Sequence, residues 1–84
     1  MERNDIFEII KRILRENVGI KLQEDIEMDC IIRNSGVDSI AMMALIVYVE
    51  NELNISLDTL LDSSVEFLKF NDMIALIETQ LMNN

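Results

Sequence analysis

The sequence predicts an all-α fold: a four-helix bundle with a long loop between helices one and two and a short third helix. Three features of the composition indicate this. Half of the 84 residues are apolar, the chain has no proline, and it has only two glycines, so few residues interrupt helices. At this length we expect one domain over residues 1–84.

Helix one is predicted over residues 5–18. Apolar residues recur there with helical spacing, at Ile6, Ile10, Ile13, Leu14 and Val18. Asp5 and Glu8 have the spacing of a capping box, and Gly19 follows as a stop signal.

Residues 20–37 are predicted to form a long and mostly irregular loop. It contains the acidic run EDIEMD, and its apolar residues Ile26, Met28, Ile31 and Ile32 are irregularly spaced. We expect these side chains to hold the loop across the helices. A loop of this length in a compact domain usually serves a function.

Helix two is predicted to begin at Asp38 or Ser39 and to end near Asn54. Its apolar run, residues 40–49, is unbroken, although a surface helix needs only one apolar face. A helical wheel divides the apolar residues into two stripes. The inward stripe is Met42, Leu45, Ile46, Val49 and Leu53; the outward stripe is Ile40, Met43 and Val47, with Ala44 beside it.

Two explanations of the outward stripe compete. The other helices and the long loop could cover it, or it could be a docking surface for a partner. We favour docking, because an exposed apolar patch with a charged rim marks an interaction site.

The C-terminal part of the chain predicts two further helices. A short third helix is predicted over residues 58–63. The last helix is predicted over residues 72–82, with Asn71 as its N-cap and Met73, Ile74, Ile77 and Leu81 facing inward.

The charge balance and the rare residues exclude several functions. The net charge of −9 argues against nucleic acid as a ligand and favours a basic protein partner. Residues 34–68 include six acids and no base. There is no histidine, so the commonest general base and metal ligand are missing, and Cys30 has no histidine to activate it. We therefore expect no catalytic residues and no metal site, and we interpret Cys30 as a small buried hydrophobe.

The expected location is the cytoplasm. A single cysteine fits a reducing compartment, and the first residues do not resemble a signal peptide. The ten-residue apolar run is too short for a bilayer, which needs about 20 residues. A monomer is expected.

Ser39 has two interpretations from its position alone. It stands after a glycine-containing turn, in the first turn of helix two, with Asp38 as a natural N-cap. It could simply be a residue suited to a helix start. Alternatively, its hydroxyl could carry a phosphate ester, which the helix terminus would stabilise.

The motif GVDSI, residues 36–40, heads an apolar helix in a short acidic helical chain. In this context the chain resembles the acyl carrier protein family, which includes the peptidyl carrier proteins of nonribosomal synthesis. The resemblance covers nearly the whole chain, in the order and spacing of the predicted elements.

The resemblance implies roles for particular residues. Ser39 would carry 4′-phosphopantetheine, whose thiol would hold an acyl or aminoacyl group as a thioester. Asp38 would help the phosphopantetheinyl transferase that installs this arm. Ile40, Met43 and Val47 occupy positions at which the family meets its loading and transfer enzymes. Two further residues, Leu53 and Leu57, match apolar positions that flank the turn after helix two.

Two departures from the fatty acid synthesis carriers bear on the pathway. The residues after the motif are apolar rather than acidic until Glu50, and Ser35 replaces the usual leucine before the motif glycine. Both favour a freestanding carrier of a polyketide or nonribosomal pathway. The alternatives are a carrier of fatty acid synthesis, a dedicated carrier for one acyl or amino acid group, an unmodified helical interaction module, and an enzyme, which the missing histidine disfavours.

Overall fold

The computed structural model describes residues 1–58, 60 and 67–83. These residues form α1 (Arg3–Arg12), a π-helical segment (Ile13–Val18), a short 3₁₀ helix (Ile32–Ser35), α2 (Ser39–Leu53) and α3 (Phe70–Met82). The described part is helical and has no β-strand beyond one isolated bridge, as an all-α fold requires. The predicted short helix over residues 58–63 falls mainly outside the described residues, so the fourth helix stays a prediction.

Helix one begins two residues earlier than its pattern indicates. Asp5 is its third residue, and the Asp5 carboxylate accepts a hydrogen bond at 3.0 Å from the backbone N–H of Glu2. The predicted pairing of Asp5 with Glu8 is therefore wrong; Glu8 instead forms an ion pair with Lys11. The end is as predicted, because Gly19 follows Val18 with a left-handed φ of 85°.

The long loop is tied to the start of the last helix by main-chain hydrogen bonds. Ile31 and Lys69 form an antiparallel bridge. Beside it, Ile32 donates to the Leu68 carbonyl at 2.9 Å, and Phe70 donates to the Cys30 carbonyl at 3.1 Å. We call residues 28–32 together with 68–71 the loop clasp.

The clasp explains why α3 begins before the predicted N-cap. Asn71 lies inside the first turn of α3, and its N–H donates to the Met28 carbonyl at 2.9 Å. Helix formation at Phe70 also buries that ring completely, in an edge-to-face contact with Phe7 at 5.4 Å between ring centroids. The assignment of Asn71 as N-cap was therefore wrong.

The core lies between α2, α3 and helix one. The inward residues of α3 are buried at Met73, Ile74 and Ile77, and Leu81 is half-buried against them. The loop contributes through Ile32, which is fully buried, and through half-buried Ile26 and Met28. This packing fixes the end of the loop, from which α2 and its first residue start.

Candidate functional site

The start of α2 is set by a tight turn and a side-chain cap. Gly36 has a left-handed φ of 94°, which a residue with a Cβ rarely adopts. Val37 is then buried, and Asp38 is extended. The Asp38 carboxylate accepts a hydrogen bond from the Ala41 N–H at 2.8 Å, so Asp38 is the N-cap, as predicted.

Ser35 has a local role in the same turn. Its Oγ donates a hydrogen bond to the Ile32 carbonyl at 2.6 Å, closing the short 3₁₀ helix. The polar residue immediately before Gly36 therefore provides a hydrogen bond to the backbone carbonyl of Ile32.

Ser39 is the first residue of α2 and is exposed to solvent. The N–H groups of Ser39 and Ile40 find no acceptor in the part of the chain that the structure describes. Unpaired N–H groups and the helix macrodipole favour negative charge at this end. The first turn thus suits a phosphate ester on the Ser39 hydroxyl: the oxygen is accessible, and two donors beside it are unused.

The two stripes of α2 lie as the wheel predicts. Met42, Leu45, Ile46 and Val49 are buried, and Leu53 is half-buried. On the opposite side Ile40 is 81% exposed, Met43 59% and Val47 52%. The loop and the other described elements leave this outward stripe open to solvent.

Tyr48 adds to the outward surface, although it was not among the residues predicted to lie there. It is 41% exposed and lies eight residues after Ile40, with half-buried Ala44 between them. The i, i+4, i+8 spacing was the available signal. We call Ile40, Met43, Val47 and Tyr48 the outward face.

The two acidic side chains within α2, Glu50 and Glu52, make internal contacts. Glu50 accepts a hydrogen bond from the Leu57 N–H at 2.7 Å and so holds the turn after the helix, where Leu57 is fully buried. Glu52 pairs with Arg12 of helix one. These carboxylates are thus engaged within the fold, and the residues of the outward face itself carry no charge.

Other parts of the described chain offer little chemistry. Cys30 is half-buried against the core, and no group of three or more metal-binding side chains occurs in the described ranges. None of the described helices is both long and apolar enough to cross a membrane.

Comparison with known proteins agrees with this geometry. The model of the phosphopantetheine attachment site family matches residues 8–65, which is more than half of the chain and includes the whole of α2. No curated protein and no solved structure gives a match. The chain thus belongs to the phosphopantetheine attachment family of carrier domains, which carry 4′-phosphopantetheine as a covalent cofactor and interact with the enzymes that install and load it.

Proposed function

We propose that the chain carries 4′-phosphopantetheine on Ser39 and presents the attached group to biosynthetic enzymes. The observation that carries this proposal is the exposed Ser39 hydroxyl at the first position of α2, beside two unused N–H groups. The terminal thiol of the arm supplies the chemistry, since it holds an acyl or aminoacyl group as a thioester. The protein supplies the attachment oxygen, an anion-favouring helix end and a surface for partners.

Asp38 contributes to attachment by holding the first turn in place. Its cap on the Ala41 N–H fixes the backbone that carries Ser39. Because Asp38 is itself exposed, a phosphopantetheinyl transferase can also contact its carboxylate directly. The cap acts through the position of Ser39, whereas direct contact would act through the carboxylate charge, and the two roles can be separated by substitution.

The partner surface comprises Ile40, Met43 and Val47 and extends to Tyr48. These side chains are exposed, contiguous along the helix and close in sequence to the attachment site. Glu50 and Glu52, the only acids within α2, are held in internal contacts. This face therefore suits partners with apolar recognition sites, which supports a polyketide or nonribosomal pathway.

A carrier of fatty acid synthesis is the second candidate, supported by the net charge of −9, which would attract basic enzymes. Incubation of the modified protein with a panel of loading enzymes separates the candidates. Loading by an aminoacyl-activating enzyme or by a polyketide acyltransferase, without loading by a fatty acid synthase, supports a polyketide or nonribosomal carrier. Efficient loading and elongation by a fatty acid synthase would favour the second.

The attachment site is tested by intact mass after co-expression with a broad-specificity phosphopantetheinyl transferase. The wild-type chain should gain one phosphopantetheine group, and Ser39→Ala should fold and gain none. Ser56→Ala is the matched control, because Ser56 is exposed but lies outside the helices, and it should be modified normally. Modification of Ser39→Ala would refute the site; a wild-type chain that is never modified would favour the unmodified interaction module.

A further inference from the structure

Two residues at the start of the long loop, Ile20 and Lys21, lie against the turn that carries Ser39. A Cβ placed on Gly36 would lie 4.0 Å from the Ile20 side chain, so this side chain sits close beside the turn. Ile20 also lines an open groove together with both sequence neighbours of Ser39. Lys21 lines a second groove together with Gly36. Contacts between segments that are distant in the sequence therefore hold Lys21 beside the attachment site.

Lys21 is a positive charge without a partner. Among the described residues, three other bases form ion pairs: Arg3 with Glu78, Lys11 with Glu8, and Arg12 with Glu52. Lys21 is exposed, and no carboxylate within residues 1–58, 60 and 67–83 pairs with its ammonium group. Arg33 also lacks an ion pair within those ranges, but it lines neither groove beside the motif. Lys21 is therefore the unpaired cation that the fold brings to this turn.

The separation along the turn allows Lys21 to act at Ser39. Gly36 and Ser39 are three residues apart, so their Cα atoms are at most about 11 Å from each other. The flexible four-carbon stem of Lys21 spans part of this distance. A phosphoryl group on the exposed Ser39 hydroxyl would project from the turn and span another part. Contact between the ammonium group and phosphoryl oxygens is therefore within reach.

The surroundings of Ser39 are otherwise unfavourable for an anionic substrate. The chain has a net charge of −9, and Asp38 places an exposed carboxylate directly before Ser39. The donor of a phosphopantetheine group must hold it in an activated diphosphate linkage, as coenzyme A does, so negative charge approaches Ser39 during attachment. An unpaired ammonium group beside the site reduces the repulsion between these like charges. Lysine suits this role, because its compact charge binds phosphate oxygens well.

We propose that Lys21 binds the phosphoryl group that is transferred to Ser39 and so assists attachment of the arm. This inference rests on the proposed attachment at Ser39. In the reaction the Ser39 Oγ forms a bond to the phosphorus that bears the pantetheine, and the bond from that phosphorus to the bridging oxygen of the diphosphate breaks. The hydroxyl proton passes to a base of the transferase, and adenosine 3′,5′-bisphosphate leaves. The Lys21 ammonium group stabilises the charge on the transferred phosphoryl oxygens, and bound transferase strengthens this interaction by excluding water.

Single-turnover modification of the full chain by coenzyme A, with a broad-specificity phosphopantetheinyl transferase in excess, tests the inference. Lys21→Met removes the charge and keeps most of the side-chain length. Lys69→Met is the matched control, because it changes the net charge equally at an exposed lysine that lines neither groove. We expect the maximal rate to fall at least about threefold for Lys21→Met alone, a size typical of one exposed ion pair, with no change in the half-saturating transferase concentration. Lys21→Arg should restore most of the rate, because it returns the positive charge.

Phosphorus nuclear magnetic resonance of the modified chain gives a readout that does not depend on rates. The ammonium group of Lys21 stays beside the phosphodiester on Ser39 after transfer. The phosphodiester signal should therefore shift in Lys21→Met relative to wild type and stay in place in Lys69→Met. The intact mass of each sample reports attachment independently of this contact.

Several outcomes would overturn the inference. Equal maximal rates for Lys21→Met and Lys69→Met would do so, as would a phosphodiester signal that is the same in wild type and Lys21→Met. A raised half-saturating transferase concentration with an unchanged maximal rate would show that Lys21 contacts the transferase and not the phosphoryl group. Melting curves check that each variant folds, and Lys21→Gln replaces Lys21→Met if that variant does not. A wild-type chain that gains no mass would instead refute attachment itself.

Discussion

Truncation of two side chains on opposite faces of α2 tests whether one face of this helix belongs to the core and the other to the solvent-exposed surface. Leu45 is fully buried, whereas Val47, two residues later, is 52% exposed. Replacing Leu45 with alanine removes three buried carbons and leaves a cavity, which costs about 2–5 kcal/mol in the free energy of unfolding. A chain of 84 residues has a total stability of roughly 4–13 kcal/mol, so this loss is a large share of it.

Val47→Ala is the matched control. It removes exposed carbon and introduces a better helix former, so the free energy of unfolding should stay within about 0.5 kcal/mol of wild type. Urea unfolding followed by circular dichroism measures both variants; the midpoint should fall for Leu45→Ala alone, with an unchanged slope. In a thermal scan Leu45→Ala should lose at least about 8 °C, at ~4 °C per kcal/mol. Equal losses in the two variants would refute the assignment of the faces.

Two further predictions concern the cap and the partner surface. Asp38→Ala should lower the free energy of unfolding by about 0.5–2 kcal/mol, because the N-cap is lost. Asp38→Asn should keep the fold but slow modification by the transferase if the enzyme recognises the carboxylate charge. Equal modification rates for Asp38→Asn and wild type would limit Asp38 to capping. Met43→Asp should leave the free energy of unfolding within about 1 kcal/mol of wild type. It should slow transfer to a partner enzyme at least tenfold, which corresponds to about 1.4 kcal/mol, and a melting curve and a transfer rate measured on the same variant check both expectations. Unfolding of this variant would place Met43 in the core, and a normal transfer rate would place the docking surface elsewhere.

The sequence predicted α2 well because its signals are local. The cap of Asp38, the glycine before it and the apolar spacing act within one or two turns, and the structure has each of them in place. The exposure of Ile40 and Met43 also followed from the spacing, once the inward stripe was assigned.

The wrong or missing predictions concern positions whose structure depends on contacts with segments that are distant in the sequence. Asn71 has the chemistry of an N-cap, but pairing with Met28 and burial of Phe70 extend α3 beyond it. The open groove lined by Val18, Ile20 and Ala44 could not be predicted either, because its two sides come together only through packing of helix one on α2. The spacing of apolar residues along one helix does not indicate which residues of another segment lie opposite them.

The loop clasp connects the turn before Ser39 to the docking of α3. Its hydrogen bonds join residues about 40 positions apart in the chain, so they form only when α3 docks. The same stretch of loop leads through Ile32 and the 3₁₀ helix directly into Gly36 and the start of α2. Ordering of the turn before Ser39 is therefore thermodynamically linked to docking of the C-terminal helix, and the two should open as one unit rather than separately.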